Sequence, residues 1–308
     1  LKNLLNRAEN DSTKCNILFE LLKAHPDEQE KIKYNTRLKV LADENLQRTN
    51  LQGNEKRTFK RHLGNALNFY GVMCYHKAEM KNALDYYSKS LQIRTELGDV
   101  KASSSTLNNM GNVYLYLGDI KNTKECYLKV IQMQESINDL EGLTLSYSNI
   151  GSFYREISEY NKAIEFYQKG LNLEVKLGLR GGQVASMNNL GLVYSLMNNY
   201  TLALELHDKA IALAAKENYN EGLATALADK AAVYGYQGNI KASIEYYEKS
   251  LRLFEKLQLP NEISSVLHNL GVIYLNQEDL SKALEYYQKS LKMDSESGNK
   301  NGMAISLS

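Results

Sequence analysis

The sequence contains no tryptophan, two prolines (Pro26 and Pro260) and three cysteines (Cys15, Cys74 and Cys126) in 308 residues. So little proline favours long helices and argues against an all-β chain punctuated by proline turns. Three cysteines without a CxxC pair or a spaced framework read as buried free thiols, and their odd number speaks against an oxidising compartment. Neither sign of charge is in excess. Lys and Arg number 37 against 36 Asp and Glu, a net charge of +1, so the basic footprint of a generic nucleic-acid binder is missing. No apolar run approaches the roughly 18 residues that a spanning helix needs, and no signal peptide opens the chain, so no direct membrane insertion is expected of this segment. The chain opens on Leu1 rather than Met, and a segment upstream of it is expected.

What is present is repetition. Stepping by forty from Gly71 gives Gly111, Gly151, Gly191, Ala231 and Gly271. Three residues further on stand Cys74, Tyr114, Tyr154, Tyr194, Tyr234 and Tyr274. Twelve after the glycine are the small residues Ala83, Thr123, Ala163, Ala203, Ser243 and Ala283, and sixteen after it Tyr87, Tyr127, Tyr167, His207, Tyr247 and Tyr287. Six units keep this register without insertion or deletion.

Within a unit, Leu107, Met110, Gly111 and Tyr114 form one helical stripe, and Thr123, Cys126, Tyr127, Val130 and Ile131 form a second. Gly118-Asp119 separates them as a helix stop followed by an N-cap, with counterparts at Asn198-Asn199, Gly238-Asn239 and Glu278-Asp279. Further breaks fall at 97–99, 137–139 and 177–179. Each unit is therefore read as two antiparallel helices. One hairpin cannot bury its own apolar face, so the units must stack into an all-α solenoid.

Small Gly111, aromatic Tyr114, small Thr123, aromatic Tyr127 and small Ala210 or Ser250 match the tetratricopeptide repeat (TPR) motif in order and spacing, and over residues 60–308 the chain resembles that family. The family's usual unit is 34 residues; this one is 40, and the usual proline near the unit's end is missing. The longer form resembles the repeats of Partner-of-Inscuteable-type adaptors and the TPR sensor segments of bacterial histidine kinases. HEAT repeats have a similar period, but their prolines and spacing of small residues do not coincide with these. The resemblance implies a right-handed superhelix of antiparallel helix pairs, with first helices lining a concave groove.

The ends differ from the repeats. Residues 1–62 are expected to be degenerate N-terminal capping helices: one over 12–25 with Ser12 as its cap, and one over 26–47 with Pro26 in its first turn. Six repeats are assigned to 63–303, and 304–308 are read as the start of a truncated further repeat, since 301–308 align with 141–148 and 221–228. The parent protein is therefore expected to continue.

The groove implied by the family is lined by one residue column holding Asn109, Asn149, Asn189, Asp229 and Asn269, and by another holding Asn108, Asn188 and His268. Asn112, Arg155, Tyr116 and Tyr236 follow on the same helices. An amide both donates and accepts, so a ladder of asparagines can pair with the backbone of an extended peptide. Equally, each amide can bond a neighbouring helix and tie repeat to repeat. Arg155 is the main groove cation, for a ligand anion or for Glu156 or Glu159. The basic set that the family uses to clamp C-terminal carboxylates does not match at Asn68, Asn108, Asn188 and His268, so a chaperone-tail clamp is disfavoured.

Six acid–lysine pairs four residues apart, from Asp85/Lys89 to Glu285/Lys289, read as a solvated face. Residues 179–183 (LRGGQ) are read as a loop and not as a nucleotide fingerprint, for no strand precedes them. His207 replaces a core tyrosine and reads as packed. No catalytic, metal or phosphate-loop motif occurs, so neither enzyme activity nor a cofactor is expected of this segment. The expected function is non-catalytic binding of a protein or extended peptide, as the sensor or regulatory segment of a bacterial signalling protein such as a histidine kinase. The alternative is a freestanding adaptor that assembles complexes. An adaptor would be cytoplasmic, and the sensor of a membrane kinase would face the periplasm. Oligomeric state is not legible.

Overall fold

A computed structural model describes residues 1–51, 53–299 and 302, so the segment 304–308 expected to begin a further repeat lies outside the described residues. The described residues form fifteen helices and no strand. They fall into two compact units, Leu1–Phe153 and Tyr154–Ser308.

The first unit opens with α1 (Lys2–Arg7), α2 (Asp11–Ala24), α3 (Glu28–Leu46) and α4 (Gly53–His76). It continues with α5 (Met80–Glu96), α6 (Val100–Tyr116), α7 (Ile120–Ser136) and most of α8 (Leu140–Glu156). Asn10, not Ser12, caps α2 by accepting from Thr13 N at 2.8 Å, while the Ser12 hydroxyl bonds the Asn10 side chain instead. Pro26 lies just outside α3, whose cap is Asp27. The sequence boundary at 62/63 falls inside α4. That helix begins at Gly53 because its N-terminal half, through Phe59, packs on the apolar core that α2 and α3 build with Leu18, Leu21 and Leu38.

The second unit comprises α9 (Tyr160–Leu177), α10 (Arg180–Leu196), α11 (Tyr200–Lys216), α12 (Asn220–Tyr236), α13 (Ile240–Leu257), α14 (Pro260–Asn276) and α15 (Leu280–Ser297). Residues 180–183, read from sequence as loop, are the first turn of α10, because the chain reverses two residues earlier at left-handed Gly178. In both units successive helices pack on one another, and first helices also meet at α4–α6 and α10–α12.

A half-repeat of constant length makes this stacking possible. Left-handed residues occur at 78, 98, 118 and so on to 298, each twenty from the last. The next amide reaches back five residues to cap the preceding helix, as in Asp119 N to Tyr114 O at 2.9 Å and Asn239 N to Tyr234 O at 2.9 Å. Asp99, Asp119, Asn199, Asn239 and Asp279 then start the following helix by accepting from its first turn.

Inside each hairpin, glycine sets the distance between helices. A Cβ placed on Gly71, Gly111, Gly191 or Gly271 would stand 2.5–2.7 Å from the ring of Tyr87, Tyr127, His207 or Tyr287. Between hairpins the contact is set by residue pairs twelve apart. Arg94 Nη1 donates to Thr106 Oγ1 at 2.6 Å, and the Ser146 hydroxyl donates to Gln134 Oε1 at 2.7 Å. Burial raises the pKa of the Glu174 carboxyl, and a hydrogen bond from Ser186 opposes that rise. At the next two junctions both partners are apolar, Ala214 with Ala226 and Phe254 with Val266.

On the outer face five of the six expected acid–lysine pairs form, at 2.6–3.0 Å between exposed side chains. Such surface pairs contribute little each.

Ala78, Ser158, Gln258 and Glu278 hold the left-handed conformation with a Cβ, at φ of 57–61°. That conformation costs an L-residue about 1–2 kcal/mol. Ala78→Gly and Glu278→Gly are each expected to raise stability by about 1 kcal/mol, and Gly118→Ala to lower it by a similar amount. Urea unfolding of the three variants checks this.

Candidate functional site

Since the glycine column turns one side of each first helix toward its partner, the residues two before and four or five after it lie on the side left open. In the first unit the asparagines on this side divide by role. Asn149 Nδ2 donates to Asn108 Oδ1 at 2.7 Å, tying α8 to α6, and Tyr127 OH donates to Asn112 Oδ1 at 2.6 Å within a hairpin. Asn109 is half-buried and makes no side-chain hydrogen bond among the described residues. Tyr116 is 62% exposed, edge-on to Tyr75 with ring centroids 6.4 Å apart.

In the second unit Asn188 departs from the expected groove position. It is only 6% exposed and lies 3.4 Å from Nδ1 of His207, on the second helix of its own hairpin. His207 is fully buried, and burial lowers its pKa to about 4, which keeps the ring neutral. His268 is half-buried against Tyr287, with ring centroids 5.3 Å apart. Asn189 is half-buried, Asn269 is exposed, and neither makes a side-chain hydrogen bond among the described residues.

Arg155 forms neither of the ion pairs considered from sequence. Glu159 pairs with Lys162 at 3.1 Å, and the carboxyl whose ionisation the Arg155 charge favours is Asp229 on α12. Burial of the Asp229 carboxyl pushes its pKa up to about 7, with Arg155 opposing the shift.

Beyond Asp229 on the same helix the surface opens into a recess of about 210 Å³ between α12 and α14. Tyr236, Asn269 and Asn276 line it with Ala232 and Val272, and Ser243 and Tyr247 of α13 contribute from beneath. Gly235 makes the space. The same repeat position holds Tyr75, Leu115, Arg155, Ser195 and Leu275 elsewhere, whereas a Cβ on Gly235 would meet Ser243 Oγ at 3.3 Å and little else. Tyr236 is 64% exposed and stacks on Tyr200, with ring centroids 6.4 Å apart. The recess thus combines an exposed aromatic ring, two amides and an apolar wall, a composition suited to an apolar side chain flanked by peptide groups. Ser243 and Tyr247 were legible only as packing residues of the repeat and Asn276 not at all; the available signal was the one glycine in its column.

Among the described residues no group of His, Cys, Asp and Glu could hold a metal ion, and no helix is long and apolar enough to cross a membrane.

The Asp229 shift fixes a sign. The folded chain keeps a proton that the unfolded chain, with an ordinary value of 3.8, releases, so this site's contribution to stability falls as pH rises from about 4 to about 7. Asp229 is partly open to solvent, which screens the effect. Asp229→Asn is expected to be more stable than the parent by roughly 1–2 kcal/mol at pH 8, and equal to it below pH 4. Urea titrations at the two pH values check this.

The tetratricopeptide repeat pattern matches residues 62–136, 102–174, 182–256 and 222–296. None of the curated proteins compared with the chain matches it. Among solved structures it is similar to aspartyl phosphate phosphatase F from Bacillus subtilis, at 13% identity and a TM-score of 0.67, over 92% of this chain and 70% of that one. A Rap protein complexed with competence and sporulation factor matches at 12% identity and a TM-score of 0.61, over 96% and 95% of the two chains. NprR in complex with its cognate peptide NprX matches at 16% identity and a TM-score of 0.60, over 97% and 82%. At such identities the likeness concerns the fold alone. With the repeat pattern covering most of its length, the chain belongs to the tetratricopeptide repeat family.

Proposed function

We propose that this chain is a non-catalytic receptor for a protein segment or extended peptide, engaged on the first-helix face of the second unit. The observation that carries the reading is the recess at Gly235. There the repeat carries no side chain, and the cavity that results is bordered by the Tyr236 ring, 64% exposed beyond its stack on Tyr200, and by Asn269, which makes no side-chain hydrogen bond among the described residues. An apolar side chain fills the cavity, Tyr236 covers it, and the Asn269 amide pairs with the peptide backbone on either side. Asn189 extends the same column on α10.

The likeness to a Rap protein complexed with a factor and to NprR in complex with a cognate peptide supports this reading by analogy of fold. By the same analogy we assign the chain to the sensor or regulatory part of a signalling protein, in which peptide binding alters how hairpins stack. A histidine kinase is one such parent.

The test is selection of binders from a displayed random-peptide library, followed by anisotropy titration of the enriched sequence. Gly235→Leu, which restores the residue found at Leu115 and Leu275, is expected to weaken binding at least tenfold while leaving the melting temperature within about 2 °C. Asn269→Ala is expected to weaken it several-fold. Affinity unchanged in both variants would refute this site.

A further inference from the structure

The first unit holds a different recess whose lining is charged. It has a volume of about 310 Å³ and brings together Lys23 of α2, Lys31 of α3, Asn65 and Asn68 of α4 and Arg94 of α5, with Phe69 as an apolar wall. Three cations contribute to this lining and no carboxylate does.

Arg94 is only 7% exposed and forms no ion pair among the described residues. Its Nη1 donates to Ala102 O at 2.8 Å and to Thr106 Oγ1 at 2.6 Å, and its Nη2 donates to Asn65 Oδ1 at 3.0 Å. Its Nε has no acceptor. Every acceptor it has is neutral, so a buried positive charge stands without a counter-charge in contact. Burial lowers its pKa to about 10, with Asp99 opposing from the cap of α6.

Lys23 pairs with Glu20 at 3.2 Å and lies over the Phe19 ring, 5.4 Å from its centroid, and Lys31 pairs with Glu28 at 2.6 Å; both acids are more than half exposed and belong to the lysines' own helices. Surface pairs of this kind contribute little and yield to a better-placed anion. Asn68 Oδ1 already accepts from Thr106 Oγ1 at 3.2 Å, which leaves the Asn68 amide N–H groups as donors.

We propose that this recess binds a carboxylate of an acidic peptide segment, with Lys23 and Lys31 as its direct partners, Asn68 as a neutral donor and Arg94 as a fixed positive charge. The apolar wall at Phe69 favours a carboxylate carried beside an apolar side chain over a bare inorganic anion. The peptide as carrier rests on the function proposed above; the charge of the recess does not.

The experiment titrates the chain into two labelled, end-blocked tetrapeptides, Phe-Glu-Glu-Leu and Phe-Gln-Gln-Leu, followed by anisotropy. The acidic peptide is expected to bind at least tenfold more tightly, and less so as salt is raised. The double variant Lys23→Gln/Lys31→Gln is expected to lose at least tenfold in affinity with its melting temperature unchanged. Arg94→Met tests the buried charge, and if it does not fold the lysine variant decides alone. Equal binding of the two peptides, or full affinity in the double variant, overturns the proposal. So does displacement by inorganic phosphate at concentrations equal to those of the peptide. Gly235→Leu is expected to leave this binding untouched. Affinity unmoved by Gly235→Leu and Asn269→Ala therefore refutes the first reading alone, and affinity for the acidic peptide unmoved by Lys23→Gln/Lys31→Gln refutes the second alone.

Discussion

The hairpin rests on one steric condition: an aromatic ring of the second helix occupies the volume where a side chain on the first would stand. Tyr87, Tyr127, His207 and Tyr287 each meet a glycine in this way. That contact fixes the separation and rotation of the two helices, and so decides which side of the first helix remains uncovered. Every candidate position for a partner is downstream of it. Ala231 shows how far the condition relaxes, for its hairpin admits one methyl group and adds a hydrogen bond from Ser243 Oγ to Ala231 O at 2.7 Å.

Stacking of hairpins uses a second, more varied chemistry. Arg94, Gln134 and Glu174 occupy one repeat position and each finds a hydroxyl twelve residues on, whereas Ala214 and Phe254 at that position meet Ala226 and Val266. A buried polar pair is little more stable than an apolar one of the same shape, but a mixed pair strands a donor or acceptor at a cost of about 1–3 kcal/mol. Junctions matched in this way discriminate against stacking a hairpin on the wrong neighbour, a hazard for any chain of near-identical units.

Much of this was legible because repetition supplies its own comparison. The glycine, the ring sixteen residues on and the turns at 118, 198, 238 and 278 follow from spacing alone. The first turn of α10 was misread because Gly181 and Gly182 look like a loop in isolation. In the structure Gly182 is needed where a Cβ would stand 2.9 Å from the Glu174 carboxylate, a contact no local rule contains. The asparagines were legible as a column but not in their separate tasks. Whether an amide bonds a neighbouring helix, as Asn149 does to Asn108 forty-one residues away, or stays open, as Asn269 does, depends on residues distant in sequence. Arg94 escaped notice for the same reason: nothing in its own helix marks it as buried.

These cases bear on where a repeat protein carries specificity. Residues that obey the period satisfy one another, since each has the same neighbours as its counterpart one unit away. A departure leaves something over. Gly235 leaves a volume, Asp229 a carboxyl that resists ionisation, and Arg94 a charge without a counter-charge. Lys230 departs too, replacing an apolar residue before the glycine column, but Asp208 and the ring of Tyr246, 4.7 Å from its Nζ, absorb its charge within the fold. That contrast separates a departure compensated by the fold from one that is not. The volume at Gly235 and the charge at Arg94 each lie at a recess, and under the readings proposed above a partner would supply the contacts that the fold does not.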